Sequence, residues 1–187
     1  MPVLETTLEG RVLHLALNRP EKRNALNEEL SRALLHALES ADTDPGVGAI
    51  LLSGNGGAFC AGMDLREATD PGIAARMAPL HERLFTVIGR LRKPVVAAIH
   101  GPAIAGGTGV AANAHIVVAA EDAQFGLTEI RIGLWPVLKD IPDHFRTSIG
   151  LNLENFISHQ ILPIFVLGIL GKNQDTTIWQ FSKIMVN

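Results

Sequence analysis

The chain has 187 residues, of which 47% are hydrophobic and 19% are charged, a composition typical of a folded globular protein and not of a disordered one. Its formal net charge of −3 provides no overall field that would draw it to nucleic acid or to a membrane surface, so local groups have to hold any anionic ligand. Cys60 is the only cysteine, which excludes an internal disulfide and favours a reducing compartment.

The chain ends and the apolar runs give no targeting or membrane signal. The first ten residues, MPVLETTLEG, contain neither a basic region nor an apolar one, which predicts no signal peptide. The apolar run Ile161–Leu170 contains Pro163 and is too short to span a bilayer. The sequence therefore predicts a soluble cytoplasmic protein.

Strands and helices alternate in the first part of the chain. Val3–Leu8 and Arg11–Leu17 are predicted strands, and Val47–Leu52 is a third, short and buried. Between them, Asn27 is the predicted N-cap of a helix. The apolar residues of that helix recur at helical spacing and mark one face: Leu30, Ala33, Leu34, Ala37, Leu38 and Ala41.

Two glycine-rich turns follow predicted strands. The first is Ser53–Asp64, SGNGGAFCAGMD, and Ile73–Leu91 after it is a predicted helix. Val95–His100 is a predicted buried strand, followed by the second turn, Ala103–Gly109, and by an Ala-rich segment compatible with a short helix. His115–Ala120 is the next strand. In open α/β arrangements, sites form where such turns follow strand ends.

Glycines in these turns let backbone N–H groups approach a ligand oxygen. We predict that Ala61-Gly62-Met63 and Ala105-Gly106-Gly107 each supply one N–H to a shared oxyanion, that of a thioester or a similar carbonyl. A carboxylate beside it would carry proton transfer, and Glu129 is the candidate. The alternatives are tight helix–strand packing for the glycines and a solvated surface position for Glu129.

The composition changes near residue 138. Ala123 is the last alanine, and the sequence from Lys139 onward is rich in Ile, Asn and Phe. We predict a core at residues 1–138 and an atypical tail of unknown origin at residues 139–187. Because so short a piece is a poor independent folder, a domain boundary, a fusion, a read-through and a frame-shifted end all stay open.

Four segments resemble the successive signatures of one enzyme family: NRPEKRNAL, GAFCAGMDL, KPVVAAIHGPAIAGG and EDAQFGLTEIRIGL. They occur in the order and spacing of the crotonase, or enoyl-CoA hydratase/isomerase, superfamily, from about Val3 to Pro136. The resemblance implies an α/β fold, a crotonase-like spiral of ββα units, here with a truncated or atypical C-terminal region. It also implies acyl-CoA thioester substrates, a place in fatty-acid metabolism, no cofactor besides the coenzyme A of the substrate, and homotrimers or hexamers.

The resemblance further implies roles for individual residues. The N–H groups of Met63 and Gly106 would form the oxyanion hole, with Glu129 as the proton-transferring acid. The positions that match the lining of the substrate and its CoA moiety are Lys22, Arg23, Asn24, Ala61, Gly62, Asp64, Leu65, Arg66, Gly107 and Gly109.

Some of these residues have two interpretations. Lys22, Arg23 and Arg66 are expected near phosphate groups, and the alternative is that they are solvated surface cations. Asp64 is expected to cap the segment that follows Met63 rather than to act as a second acid.

The chain also departs from the family pattern. Family hydratases carry two glutamates that hold and activate water, and the position of the second is here Gly109. One carboxylate suffices to move a proton between the carbons flanking a migrating double bond, so we predict an isomerase-like (or lyase) activity with Glu129 alone. The family's C-terminal helices, which close the pocket and build the trimer, are not recognisable after Trp135-Pro136, and their absence would impair activity or assembly.

Two other functions remain as alternatives. One is a non-catalytic CoA-binding protein with the same fold. The other is a dinucleotide-binding domain, because Gly107–Ala112 fits G-x-G-x-x-A, although that fingerprint requires its first glycine directly after a strand. The histidines show no metal-binding spacing, and we interpret Cys60 and His100 as structural.

Overall fold

A five-stranded sheet organises residues 1–128. A computed structural model of the protein describes these residues together with two strands at 164–168 and 180–184. The elements are, in chain order, β1 (Leu4–Glu9), β2 (Val12–Leu17), α1 (Glu28–Thr43), β3 (Ala49–Gly54), α2 (Leu65–Ala68), α3 (Pro71–Val87), β4 (Val95–Ile99), β5 (Pro102–Ile104), α4 (Gly106–Asn113), β6 (Ile116–Ala119), β7 (Gln124–Gly126), β8 (Ile164–Gly168) and β9 (Gln180–Ile184).

The order of strands in the main sheet is β1-β2-β3-β4-β6. The β1–β2 hairpin is antiparallel, and the pairs β2–β3, β3–β4 and β4–β6 are parallel. Parallel neighbours need a crossover, which α1 provides between β2 and β3 and α3 between β3 and β4. A small second sheet pairs β5 with β7 in parallel, and β8 pairs with β9 antiparallel.

The core lies between one face of the main sheet and helices α1 and α3. Alternate residues of the central strands point into it and are at most 2% exposed: Leu15, Leu17, Ile50, Leu52, Val95, Ala97 and Ile99. Leu30, Leu34 and Leu38 of α1 are fully buried against them. Burial of each leucine side chain stabilises the fold by about 1.5–3 kcal/mol, so this layer fixes the positions of the turns that follow the strands.

Most sequence-predicted elements agree closely with the structure. The predicted cap of α1 is confirmed, because the Asn27 side chain accepts the N–H of Leu30 at 3.0 Å. The predicted helix at Ile73–Leu91 corresponds to α3, which ends at Val87 and continues as one turn of 3₁₀-helix, Ile88–Arg90. No helix in the described ranges is long and apolar enough to cross a bilayer.

The second glycine-rich turn was predicted too long. Within the predicted turn Ala103–Gly109, strand β5 extends to Ile104 and helix α4 already begins at Gly106. Three-residue strands such as β5 and β7 are too short for a periodic pattern and exist through their pairing with each other. The predicted boundary at residue 138 and the tail at 139–187 lie outside the described residues, apart from β8 and β9.

We expect the stability of the fold to fall in mild acid because of His81. This α3 side chain is 7% exposed, with Nε2 3.2 Å from Ser31 Oγ, and burial lowers its pKa to about 4. The unfolded chain, with an imidazole pKa of about 6.5, takes up a proton while folded His81 stays neutral. The contribution of His81 to the free energy of unfolding is therefore fully present above about pH 6.5. It decreases by about 3 kcal/mol as the pH falls to about 4.

Urea unfolding of wild type and His81→Gln at pH 7 and pH 4 measures this effect. Because glutamine cannot take up the proton, the free energy of unfolding of wild type minus that of the variant should be smaller at pH 4 than at pH 7. An equal difference at both would contradict the assignment to His81.

Candidate active site

Two backbone turns lie in contact: the first turn, Ala61–Asp64, and the second turn, Ala105–Gly107. A Cβ built on Gly62 would lie 3.1 Å from the backbone N of Gly106, and one built on Gly106 would lie 3.6 Å from Gly62 Cα. Gly62 also has φ +88°, which other residues rarely adopt. The two glycine turns singled out in the sequence therefore contact each other, and the space and the φ at Gly62 require glycine there.

Met63 carries the available backbone donor of the first turn. Its N–H has no hydrogen-bond acceptor within residues 1–128. The other three N–H groups of the turn are taken up inside the protein: Ala61 donates to the carbonyl of Arg23 at 2.9 Å, Gly62 to Sγ of Cys60, and Asp64 to the carbonyl of Leu26 at 3.0 Å. A ligand oxygen at this turn can therefore be met by one main-chain N–H, that of Met63.

Gly106 carries the corresponding donor of the second turn. Ala105, with φ 51° and ψ −121°, turns the chain into α4, and its own N–H donates to the carbonyl of Gly126 at 2.6 Å. Gly106 is the first residue of α4, and in the described part of the chain nothing accepts its N–H. The first N–H groups of a helix lie at the positive end of its dipole. The two turns that contact each other thus each carry one N–H group without an acceptor among residues 1–128, those of Met63 and Gly106.

Cys60 joins the two turns through its main chain. Its carbonyl accepts the N–H of Ile104 at 2.8 Å, and a Cβ on Gly107 would collide with that same carbonyl. Gly107 is therefore a packing position, as the alternative interpretation of the glycines held, rather than an open ligand contact. The thiol itself is fully buried, which raises its pKa to about 12, so it has no nucleophilic thiolate near neutral pH.

The predicted CoA-lining side chains differ in their exposure to solvent. Lys22, Arg23 and Arg66 are exposed, and none of them forms an ion pair with another described residue. Asn24 is instead fully buried, and its side chain is hydrogen-bonded at both ends: Nδ2 donates to the carbonyls of Asn55 at 2.9 Å and Ala58 at 2.8 Å, and Oδ1 accepts the N–H of Arg19 at 2.8 Å. The Asn24 side chain therefore holds the loop rather than a ligand.

Asp64 caps α2, as predicted. Its Oδ1 accepts the N–H of Arg66 at 3.2 Å, and its Oδ2 lies 3.0 Å from Nη2 of Arg19. Both oxygens of the carboxylate are therefore engaged within the protein. Leu65 beside it is 59% exposed.

The isomerase prediction depends on two positions, Gly109 and Glu129, of which the structure describes only Gly109. Gly109 lies in the first turn of α4, is buried, and donates its N–H to the carbonyl of Ala105 at 3.1 Å. It offers no side chain to hold water. Glu129 lies outside the described residues, so its role stays a prediction.

Two neighbours of the turns were not singled out from the sequence. Phe85 of α3 reaches the second turn, with Cζ 3.1 Å from a Cβ built on Gly106, and Leu26 Cδ1 lies 3.6 Å from the same point. Leu26 is part of the NAL motif that was quoted, whereas Phe85 occupies an ordinary apolar helix position with no signal beyond its spacing. His100, interpreted as structural, has Nε2 2.7 Å from the carbonyl oxygen of Gly56.

Comparison with known proteins identifies the family of the chain. The family model for enoyl-CoA hydratase/isomerase matches residues 7–146. The chain belongs to the enoyl-CoA hydratase/isomerase family. The crotonase fold expected of this family is confirmed by solved structures. A crystal structure of a putative enoyl-CoA hydratase/isomerase (crotonase) from Legionella pneumophila matches with a TM-score of 0.75 at 28% identity, covering 84% of this chain and 63% of that one.

The curated proteins similar to this chain include both hydratases and isomerases. Enoyl-CoA hydratase EchA19 of Mycobacterium tuberculosis is 41% identical over 133 residues, 68% of this chain and 50% of that protein. The mitochondrial Delta(3,5)-Delta(2,4)-dienoyl-CoA isomerase of Mus musculus is 36% identical over 142 residues, 69% of this chain and 43% of that protein. The chain thus spans about half the length of the curated relatives it matches.

The dinucleotide-binding alternative lacks the geometry it requires. Residues Gly107–Ala112, which fit the fingerprint, lie inside α4 instead of in a turn directly after a strand. Gly107 is packed against Cys60 and cannot approach a pyrophosphate. Membership of the enoyl-CoA hydratase/isomerase family leaves this alternative without support.

Proposed function

We propose that this family member binds an acyl-CoA thioester and moves a double bond in its acyl group through an enolate. The observation that carries the proposal is the contact between the two turns, where the N–H groups of Met63 and Gly106 have no acceptor among residues 1–128. Donors aimed at one carbonyl oxygen stabilise the charge that develops there when the carbon beside the carbonyl loses a proton.

The exposed cations provide a site for the phosphate groups of coenzyme A. Arg23 is joined to the first turn through the hydrogen bond from Ala61 N–H to its carbonyl, and Arg66 follows that turn in sequence. Neither these two side chains nor Lys22 is neutralised by a carboxylate in the described structure. Charge-assisted hydrogen bonds to phosphate would hold the CoA end while the turns hold the thioester.

Glu129 supplies the proton transfer in this proposal. Its carboxylate removes a proton from C2 of a 3-enoyl-CoA, the electron pair passes into the thioester oxygen as a dienolate, and the same proton returns to C4 to give the 2-enoyl isomer. Gly109 supports isomerisation over hydration, because it carries no second carboxylate to position a water molecule.

Incubation of the purified chain with 3-enoyl-CoA and, separately, with 2-enoyl-CoA tests this function. We expect the two isomers to interconvert with little formation of 3-hydroxyacyl-CoA. Chromatography of the acyl-CoA products measures both reactions. Brisk hydration of the 2-enoyl substrate that persists undiminished in Glu129→Gln would overturn the isomerase assignment.

A second candidate is a CoA-binding protein of this fold without turnover. It is favoured by Gly109, which carries no carboxylate to position a water molecule. Saturable binding of acyl-CoA with no product from any tested thioester would support it. Assembly into a homotrimer or hexamer is part of either proposal, and size-exclusion chromatography with light scattering measures it.

A further inference from the structure

We propose that Arg19 is a positioning residue that aims and polarises the Met63 N–H through two intervening peptide groups. The inference deepens the proposed function and rests on it, since it assigns a cause to the orientation of one oxyanion donor. The hydrogen bonds of Arg19 go to Asn24, Ala25 and Asp64, and none of them involves Met63 or Gly106.

The guanidinium of Arg19 connects three segments that are distant in the sequence. Nη1 donates to the carbonyl of Ala25, Nη2 donates to Oδ2 of Asp64 at 3.0 Å, and the Arg19 main-chain N–H donates to Oδ1 of Asn24. The side chains of Arg19 and Asp64 are only 13% and 14% exposed. An ion pair so shielded from water is screened less than a surface pair, and its geometry is held firmly by the packing around it.

A relay of two peptide groups runs from Arg19 to Met63. The carbonyl of Ala25 shares a peptide plane with the N–H of Leu26, and that N–H donates to the carbonyl of Gly62 at 2.7 Å. The carbonyl of Gly62 in turn shares a plane with the N–H of Met63. Because a trans peptide is planar, its N–H points opposite to its C=O, so fixing the Gly62 carbonyl on Leu26 directs the Met63 N–H away from Leu26.

The same relay affects donor strength. A peptide whose carbonyl accepts a hydrogen bond from a cation becomes a stronger donor at its own N–H, and the effect passes along a chain of such bonds. Here the charged end is Arg19 and the far end is the N–H of Met63.

Asp64 secures the other side of the same turn. Its N–H donates to the carbonyl of Leu26 at 3.0 Å, so Met63 lies between two hydrogen bonds to one residue. The Asp64 carboxylate then returns to Arg19. The ion pair therefore closes a loop around the peptide that carries the proposed donor.

Arg19→Met tests the inference, with Arg92→Met as the matched control. Arg92 also donates to a carboxylate, Asp42 Oδ2 at 3.2 Å, and to a main-chain carbonyl, that of Asp42 at 3.0 Å, but it lies outside the site. The first readout needs no substrate: the amide proton resonance of Met63 in the free protein should move in Arg19→Met and stay in Arg92→Met. An unmoved Met63 resonance in a folded Arg19→Met protein would overturn the inference.

The second readout follows the carbonyl of a bound thioester. We expect kcat to fall about 10- to 100-fold in Arg19→Met with little change in KM. If the two N–H groups polarise the thioester carbonyl, a conjugated acyl-CoA should absorb at longer wavelength when bound to wild type, and this red shift should shrink in Arg19→Met. Arg19→Lys keeps the charge but has a single donor group, so its kcat and red shift should lie between those of wild type and Arg19→Met. It replaces Arg19→Met in the test if that variant fails to fold.

The outcomes separate this inference from the proposed function. No acyl-CoA binding and no turnover by wild type would remove the proposed function, and the Met63 resonance would still decide whether the relay exists. Normal binding, turnover and red shift in both arginine variants would overturn the relay and leave the proposed function intact.

Discussion

Gly106→Pro should lower turnover of an acyl-CoA substrate by about 10²–10³, the cost typical of losing one oxyanion donor. Proline removes the N–H of this residue, and as the first residue of α4 it occupies the position where helices accept proline best. The φ of Gly106 lies outside the left-handed region, so the ring does not conflict with the sign of φ there. Because proline also restricts Ala105, with its φ of 51°, circular dichroism has to show that α4 stays folded before the loss is assigned to the missing N–H.

Gly106→Ala is the control for the added bulk. Both substitutions introduce a Cβ, which must displace the Phe85 ring tip, 3.1 Å from the built position, by a few tenths of an ångström. Only proline also loses the N–H. Equal kcat values for the two variants, with circular dichroism matching wild type, would show that the Gly106 N–H does not act on the thioester.

Glu129→Gln should reduce isomerisation by about 10²–10⁴, the contribution typical of a positioned general base. Glutamine has nearly the same shape and hydrogen-bonding length but cannot take up a proton at neutral pH. Acyl-CoA affinity, measured by titration calorimetry, should therefore change little while kcat collapses.

Glu121→Gln is the matched control for the loss of one negative charge. Glu121 is exposed in the turn after β6. Its substitution by glutamine should leave kcat within about twofold of the wild-type value, as surface substitutions usually have small effects. Activity that survives in Glu129→Gln as it does in Glu121→Gln would assign the base to another residue and remove the single-acid mechanism.

The parts of the site predicted well from the sequence are those with local signals. The glycine turns were found because Gly62 and Gly106 stand in glycine-rich turns after predicted strands, and the resemblance to the family then pointed to the N–H groups of Met63 and Gly106. The cap at Asp64 was also predicted, since a short acidic side chain before a helix is a local pattern.

The parts that were missed depend on partners far away in the sequence. Arg19 was only one of several cations in a polar loop, and no local pattern distinguishes it from Arg23, which is exposed. Asn24 was predicted as a CoA-lining position, but its side chain is buried and hydrogen-bonded to the chain beyond β3. Phe85 reaches the second turn only because α3 packs beside α4.

The sequence by itself determined the alternating strands, the Asn27-capped helix, the two glycine turns and, through four ordered motifs, the family. These features follow from side-chain periodicity and backbone freedom, which neighbouring residues set. Only the tertiary structure decided which N–H groups stay available. Three of the four in the first turn find acceptors on Arg23, Cys60 and Leu26, and the fourth, Met63, is left over. Which donor remains free depends on where the other segments bring their acceptors, and folding alone decides that.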